Sequence, residues 1–127
     1  MKIQITGLPG SGKSTVIKAF DVPKLDLAEY KGARREIRFQ EDAKAHPSPV
    51  FIESACGIDL RGSIVVQLHE PIKTVQSRFR DRDNYELSDS LIALYEPIMV
   101  PWHYKAHGQQ ALKEILRKLT KENRTAT

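Results

Sequence analysis

Gly7, Gly12, Lys13 and Ser14 stand at the spacing G-x-x-x-x-G-K-[ST], directly after the apolar run Ile3-Gln4-Ile5. Between a strand and a helix, that spacing is the pattern of a loop that cradles a polyphosphate. Gly7, Gly10 and Gly12 permit backbone angles and close approaches that a Cβ would block, so successive N–H groups can turn inward around an anion. Lys13 adds a positive charge for the outer phosphates, Ser14 a hydroxyl for Mg²⁺, and the following helix the partial charge of its N-terminus. The expected cradle is therefore Gly7, Leu8, Pro9, Gly10, Ser11, Gly12, Lys13, Ser14 and Thr15.

Two carboxylates stand in comparable places. Lys24-Leu25-Asp26-Leu27 reads as a second strand reaching Asp26, and Val50-Phe51-Ile52-Glu53 as a buried strand ending in Glu53, after the breaker His46-Pro47-Ser48-Pro49. Ligands of open parallel sheets gather at the carboxyl ends of the strands. Gly7, Asp26 and Glu53 all fall at such ends, which directs the loop and both acids to one crevice.

The elements needed to hold them there follow along the chain. A short helix is expected from Thr15 to Phe20, and the charged stretch 33–45 reads as an exposed or broken helix with Ile37 as its main aliphatic residue. Ser63 to Leu68 is rich in β-branched residues and reads as a strand. Pro71 opens a helix to about Arg82. A further helix is expected from Leu87 to Glu96, with Leu87, Leu91, Leu94 and Tyr95 on one face. Residues 102–106 suggest a fifth strand, in which Trp102 is expected in the core. Gln109 to Lys121 is an amphipathic helix with Leu112, Ile115, Leu116 and Leu119 as its stripe. Strands alternating with helices predict an α/β protein with a parallel sheet covered on both faces.

With 127 residues, the chain is expected to form one domain over residues 1–122, with a frayed tail at 123–127. No apolar run approaches the roughly 20 residues of a membrane span, and Met1-Lys2 leads straight into a strand, so no membrane partner and a cytoplasmic location are expected. The single cysteine, Cys56, excludes an internal disulfide, and the four histidines lack metal-ligand spacing. A net charge of +4 suits anionic partners, although a polyphosphate site alone accounts for several positive groups. The oligomeric state is left open.

Taken together, loop, acid-ending strands and late helix resemble the P-loop kinases of the nucleoside-monophosphate-kinase-like group, which includes shikimate, gluconate and dephospho-coenzyme A kinases and the kinase domain of polynucleotide kinase. The resemblance covers about residues 1–119. It implies a three-layer P-loop NTPase fold with four to five parallel strands in the order 2-3-1-4-5, and ATP with Mg²⁺ as cofactors. The family's two acid-ending strands and arginine-bearing helix correspond here to Asp26, Glu53 and the run Arg78-Phe79-Arg80-Asp81-Arg82.

Phosphoryl transfer asks the protein chiefly to align groups and neutralise charge. Asp26 is expected to orient or deprotonate the acceptor hydroxyl, or else to cap a strand-end turn. Glu53 is expected to hold Mg²⁺ through water, or else to bond neighbouring loop N–H groups. Lys13, Arg78 and Arg82 complete the catalytic set, the two arginines being four apart and so on one helix face. Arg34, Arg35 and Arg38 lie where the family binds its acceptor. Tyr30 could stack on a base or cover the core edge.

The short inserts at 28–48 and 80–90 leave little to enclose a small substrate. A nucleotide or nucleic acid, with a DNA- or RNA-borne hydroxyl first, is therefore the expected acceptor. A free nucleoside monophosphate or small metabolite is the alternative, and a regulatory NTPase a third, though no N-K-x-D motif is present.

Overall fold

The computed structural model describes residues 1–8, 11–83, 88–95 and 98–125; the side chains of Phe79, Arg82, Asp83, Leu91 and residues 122–125 lie outside that description. Strands β1 (Lys2–Thr6), β2 (Lys24–Asp26), β3 (Val50–Glu53), β4 (Ile64–His69) and β5 (Tyr104–His107) form one sheet in the order β2-β3-β1-β4-β5. All pairings are parallel. Helices α1 (Lys13–Ile17), α2 (Arg35–Ala45), α3 (Ile72–Asp83), α4 (Asp89–Tyr95) and α5 (Gln109–Thr125) complete a three-layer α/β fold, the class and strand order expected.

Alternation along the strands sorts the core into two faces. Ile3, Ile5, Phe51, Val66, Leu68 and Ala106 pack against Val16 and Ile17 of α1 and the Leu112, Leu116, Leu119 stripe of α5. On the opposite face Val50 and Ile52 meet Phe39 and Ala43 of α2, together with Ile58. The spacing of Phe39 and Ala43, one turn apart, makes the charged stretch a single helix. Phe39 is its anchor, whereas Ile37 is 50% exposed.

Between α2 and α3 the sheet is covered by connecting segments, and β1 carries the polar Gln4 there. Its amide donates to the Ile58 carbonyl at 2.9 Å and accepts from the Ile58 N–H at 2.8 Å, so the buried side chain acts as a surrogate strand edge. Segment 98–103 crosses the same face. Its Val100 N–H donates to the Cys56 carbonyl at 2.8 Å, and Val65 and His103 exchange bonds of 2.8 and 2.9 Å.

Gly57 is where these two segments touch. Its φ is +79°, and a Cβ there would lie 2.3 Å from Val100 Cγ2 and 3.1 Å from Thr6 Cγ2. Gly57→Ala is therefore expected to lower stability by about 2 kcal/mol, from a left-handed backbone and forced overpacking together. Chemical denaturation with an unchanged slope measures it; a shift below about 0.5 kcal/mol, the scale of neutral surface changes, would show that the segment simply yields.

Several expectations need correction. The helix after the loop ends at Ile17 and does not run on to Phe20, because the chain turns at Lys18. Among the described side chains of α4 the buried aliphatic residue is Ile92, packed on Val75 and Leu8, while Leu94 is 66% exposed; Leu87 and the Leu91 side chain lie outside the described residues. A helix this short offers too few turns to distinguish the two faces by period. Trp102 is not in the core: it is 49% exposed, with the Lys105 ammonium 5.9 Å from its ring centre. Helix α5 continues past Lys121 to Thr125.

Candidate active site

The phosphate-loop pattern sits where β1 gives way to α1, as its residue types require. Gly7 has φ +145° and Gly12 φ +97°, and a Cβ on Gly7 would fall 2.7 Å from the Leu68 carbonyl of the adjacent strand. Lys13 is buried, and its ammonium donates to the carbonyls of Gly7 at 2.6 Å and Leu8 at 3.1 Å, inside the loop's own curve. Two residues expected in the cradle, Pro9 and Gly10, lie outside the described residues.

Parallel pairing of β2 with β3 sets Asp26 beside Glu53 as register partners. Adjacent strands run about 4.8 Å apart, so two carboxylates on partnered residues of one face must interact. Glu53 is buried, and the Ser14 hydroxyl donates to its Oε1 at 2.7 Å. Burial pushes the Glu53 carboxyl above its ordinary range, and Asp26 adds to the rise by charge and hydrogen bonding; the Ser14 bond and the Lys13 charge oppose it. Asp26 also holds its own strand end in shape, since its Oδ1 accepts from the Ala28 N–H at 3.0 Å and caps the 3₁₀ turn Leu27–Glu29. Strand-end cap and cleft carboxylate thus coincide in one side chain.

A carboxyl with a raised pKa favours folding in its neutral form. That contribution is present below the ordinary carboxylate range and is lost as pH rises through the raised value. Glu53→Gln retains an acceptor for Ser14 and removes the buried charge beside Asp26. In metal-free buffer its Tm should exceed that of the natural protein by about 2–4 °C at pH 8, with the gap closing on acidification. An equal or lower Tm at pH 8 would mean that Glu53 is not under electrostatic pressure.

Of the arginine run, Arg78 reaches the loop: its Nη1 donates to the Ser11 carbonyl at 2.8 Å and lies 3.7 Å from Glu70 Oε1. The Arg82 side chain is outside the described residues. A cleft of about 820 Å³ opens in front of this group. Its lining joins Lys13, Ser14, Thr15, Asp26, Glu53 and Arg78.

The rest of the lining mixes apolar and polar side chains. Phe39, Ile58, Tyr95 and Ile98 contribute to its walls, and Arg35, Glu36 and Gln40 line it from α2. Arg35 is held by two of its nitrogens, Nε on the Tyr30 carbonyl at 3.1 Å and Nη2 on the Leu27 carbonyl at 3.0 Å. The other expected acceptor residues are not among the cleft lining. Arg34, which precedes α2, and Arg38 are exposed, and Arg38 donates to the Lys31 carbonyl and lies over the Tyr30 ring. Tyr30 packs edge-on against Phe39 at 5.4 Å and donates to Asp42 Oδ2 at 2.6 Å. Burial first, and Asp42 second, push its phenol up to about 12.

Residues not singled out from the sequence complete the site. Glu70 pairs with Arg78, Tyr95 and Ile98 line the cleft, and Gln109 Nε2 donates to the Gly12 carbonyl at 3.2 Å. Cys56 lines the cleft as well; burial raises its thiol, with the Lys13 charge opposing.

No protein-family model and no curated protein matches the sequence. Solved structures do. A gluconokinase from Sinorhizobium meliloti superposes with a TM-score of 0.62 at 14% identity, over 99% of this chain and 97% of that one. A shikimate kinase from Aquifex aeolicus gives 0.62 at 20% identity, over 97% and 98%. One from Bacteroides thetaiotaomicron gives 0.66 at 21%, over 98% of each. Over nearly its whole length, the chain therefore has the fold of the P-loop kinases.

Proposed function

We propose that the chain is an ATP-dependent phosphotransferase acting on the hydroxyl of a small anionic acceptor. The observation that carries this reading is the convergence of Lys13, Asp26, Glu53, Arg78 and Arg35 on a single walled cleft. Its volume of about 820 Å³ lies within the range of roughly 300–1,000 Å³ usual for small-molecule sites. Structural neighbours named as a gluconokinase and shikimate kinases also support a small acceptor.

The residues fit Mg²⁺ and a triphosphate. Ser14 and Glu53 present hard oxygen donors 2.7 Å apart, the chemistry that suits Mg²⁺. At Gly7 a Cβ would collide with the Leu68 carbonyl, and at Gly12 the φ of +97° is one that side chains rarely adopt, so both positions favour glycine. Bound Mg²⁺–ATP supplies the phosphoryl group and a divalent charge to offset its oxygens.

The rest is done by side chains of this chain. Lys13 exchanges its loop carbonyls for phosphate oxygens, and Arg78, anchored on Ser11 and Glu70, presents its guanidinium to the transferring group. Ser14 and Glu53 would hold the metal, the carboxylate through water. Asp26 accepts the hydroxyl proton while the acceptor oxygen bonds to the γ-phosphorus and the bond to ADP breaks. Arg35, with two nitrogens tied to backbone, keeps its remaining one for an anionic group of the acceptor.

A second reading, a hydroxyl borne on DNA or RNA, is favoured by the exposed Lys31, Arg34 and Arg38 outside the cleft and by the charge of +4. Terminally labelled ATP offered with hydroxy acids, nucleoside monophosphates and short oligonucleotides separates the two. Label on a small compound supports the first. Label on oligonucleotides alone, with transfer falling steeply as salt is raised, supports the second. Label released only as inorganic phosphate from every mixture overturns the kinase reading in favour of a regulatory NTPase.

A further inference from the structure

The phosphate loop is gripped by two side chains that come from different helices, Arg78 from within the cleft and Gln109 from outside its lining. Arg78 Nη1 of α3 donates to the Ser11 carbonyl at 2.8 Å, and Gln109 Nε2 of α5 donates to the next carbonyl, that of Gly12, at 3.2 Å. A trans peptide is planar, so the carbonyl of one residue and the N–H of the next point in opposite directions. Fixing the Ser11 carbonyl therefore aims the Gly12 N–H away from α3, and fixing the Gly12 carbonyl aims the Lys13 N–H away from α5. From this geometry we infer that Gln109, the first residue of α5, is a positioning residue that presets the phosphate-binding amides of the loop. The inference rests on the phosphate-transfer reading and extends it to a residue nearly one hundred positions away in the chain.

Three further observations support it. A Cβ on Gly12 would meet Gln109 Nε2 at 2.1 Å and Arg78 Nη1 at 3.2 Å, so the bare Cα of Gly12 is the space in which both donors sit. Helices α1 and α5 share the apolar cluster of Val16, Ile17, Leu112 and Leu116, which fixes the distance from which Gln109 reaches. The N–H of Gly108 donates to the His69 carbonyl at 2.9 Å, tying the start of α5 to the end of β4. Gln109 thus projects from a braced point, and its amide spans from the last strand of the sheet to the first loop. Donors held in place before the anion arrives cost no reorganisation when it binds, which is how a neutral side chain outside the cradle strengthens it.

Gln109→Met keeps the length of the side chain and deletes its donor. Calorimetry with Mg²⁺–tripolyphosphate is expected to show a dissociation constant raised about three- to tenfold, the scale of one hydrogen bond, with an unchanged unfolding midpoint. In the absence of the anion, the amide resonances of Gly12 and Lys13 should shift and exchange faster with solvent. With ATP as donor, KM should rise by more than kcat falls. Gln109→Ala should behave alike, since the missing donor and not the missing volume is responsible. Both variants binding tripolyphosphate as the natural protein does, with the two amides undisturbed, overturns the inference while leaving the kinase reading intact. A natural protein that binds neither tripolyphosphate nor ATP removes both.

Discussion

Replacing Lys13 by Met is expected to reduce phosphoryl transfer by about 10³-fold or more, the range seen when one cation that stabilises transferring phosphate is lost. The ammonium lies buried among the carbonyls of Gly7 and Leu8 at 2.6 and 3.1 Å, with the Ser11 hydroxyl at 3.5 Å. A charge kept in such a place must be compensated, and here it is compensated by polar groups of the loop that a polyphosphate can replace. Met fills the same space with an uncharged chain. The fold should survive, because the apolar cluster behind the loop is built from Val16, Ile17 and Ile5 and does not include Lys13. Near-ultraviolet circular dichroism and a labelled-ATP assay on the same preparation check both halves. Transfer within tenfold of normal would remove Lys13 from the chemistry.

The second large effect concerns Asp26. Asp26→Asn is expected to lower kcat by about 10²–10⁴, the usual contribution of a positioned base, while the KM for ATP changes far less. The substitution is unusually clean because Asn retains an Oδ1 able to accept from Ala28 N–H, so the turn over Leu27–Glu29 keeps its cap. What disappears is the ability to take a proton, together with the negative charge that adds to the effect of burial in raising Glu53. Asp26→Ala, by contrast, deletes cap and base together and should cost about 1 kcal/mol of stability in addition. If Asp26→Asn turns over normally, the hydroxyl is activated elsewhere.

Local patterns account for what can be read in the sequence. The loop is legible because its glycines, lysine and serine lie within eight consecutive positions whose spacing is the chemistry. Asp26 and Glu53 are legible because strand ends can be located from apolar runs and proline breakers, and parallel sheets bring those ends together. Gln109 and Glu70 follow the ends of β5 and β4 closely, so the rule that finds Asp26 and Glu53 could find them too. Other signals mask them: Gln109 opens a helix whose leucine stripe dominates its pattern, and Glu70 precedes a proline that reads as a helix start.

The acceptor side is harder for a different reason. Arg34, Arg35 and Arg38 are equivalent as residue types, and only the helical phase fixed by Phe39 and Ala43 turns Arg35 into the cleft and leaves the others outside it. That phase is hidden by Ile37, which a count of aliphatic residues marks as the buried one but which packing leaves half exposed. Tyr95 and Ile98 enter the lining through the placement of α4 and the segment after it, which depends on contacts with Cys56 and Val65 far back in the chain. The same dependence on distant partners explains Trp102, whose size suggests burial and whose neighbours leave it at the surface.

In the proposed function a triphosphate seats against the amides around Lys13 with its terminal phosphorus facing Asp26 and Glu53. An amide-resolved nuclear magnetic resonance titration with Mg²⁺–ATP tests it most directly. Saturable shifts are expected, largest at Gly7, Ser11, Gly12, Lys13 and Ser14, with smaller ones at Asp26, Glu53 and Gln109. No saturation, or shifts confined to residues away from the loop, would contradict it.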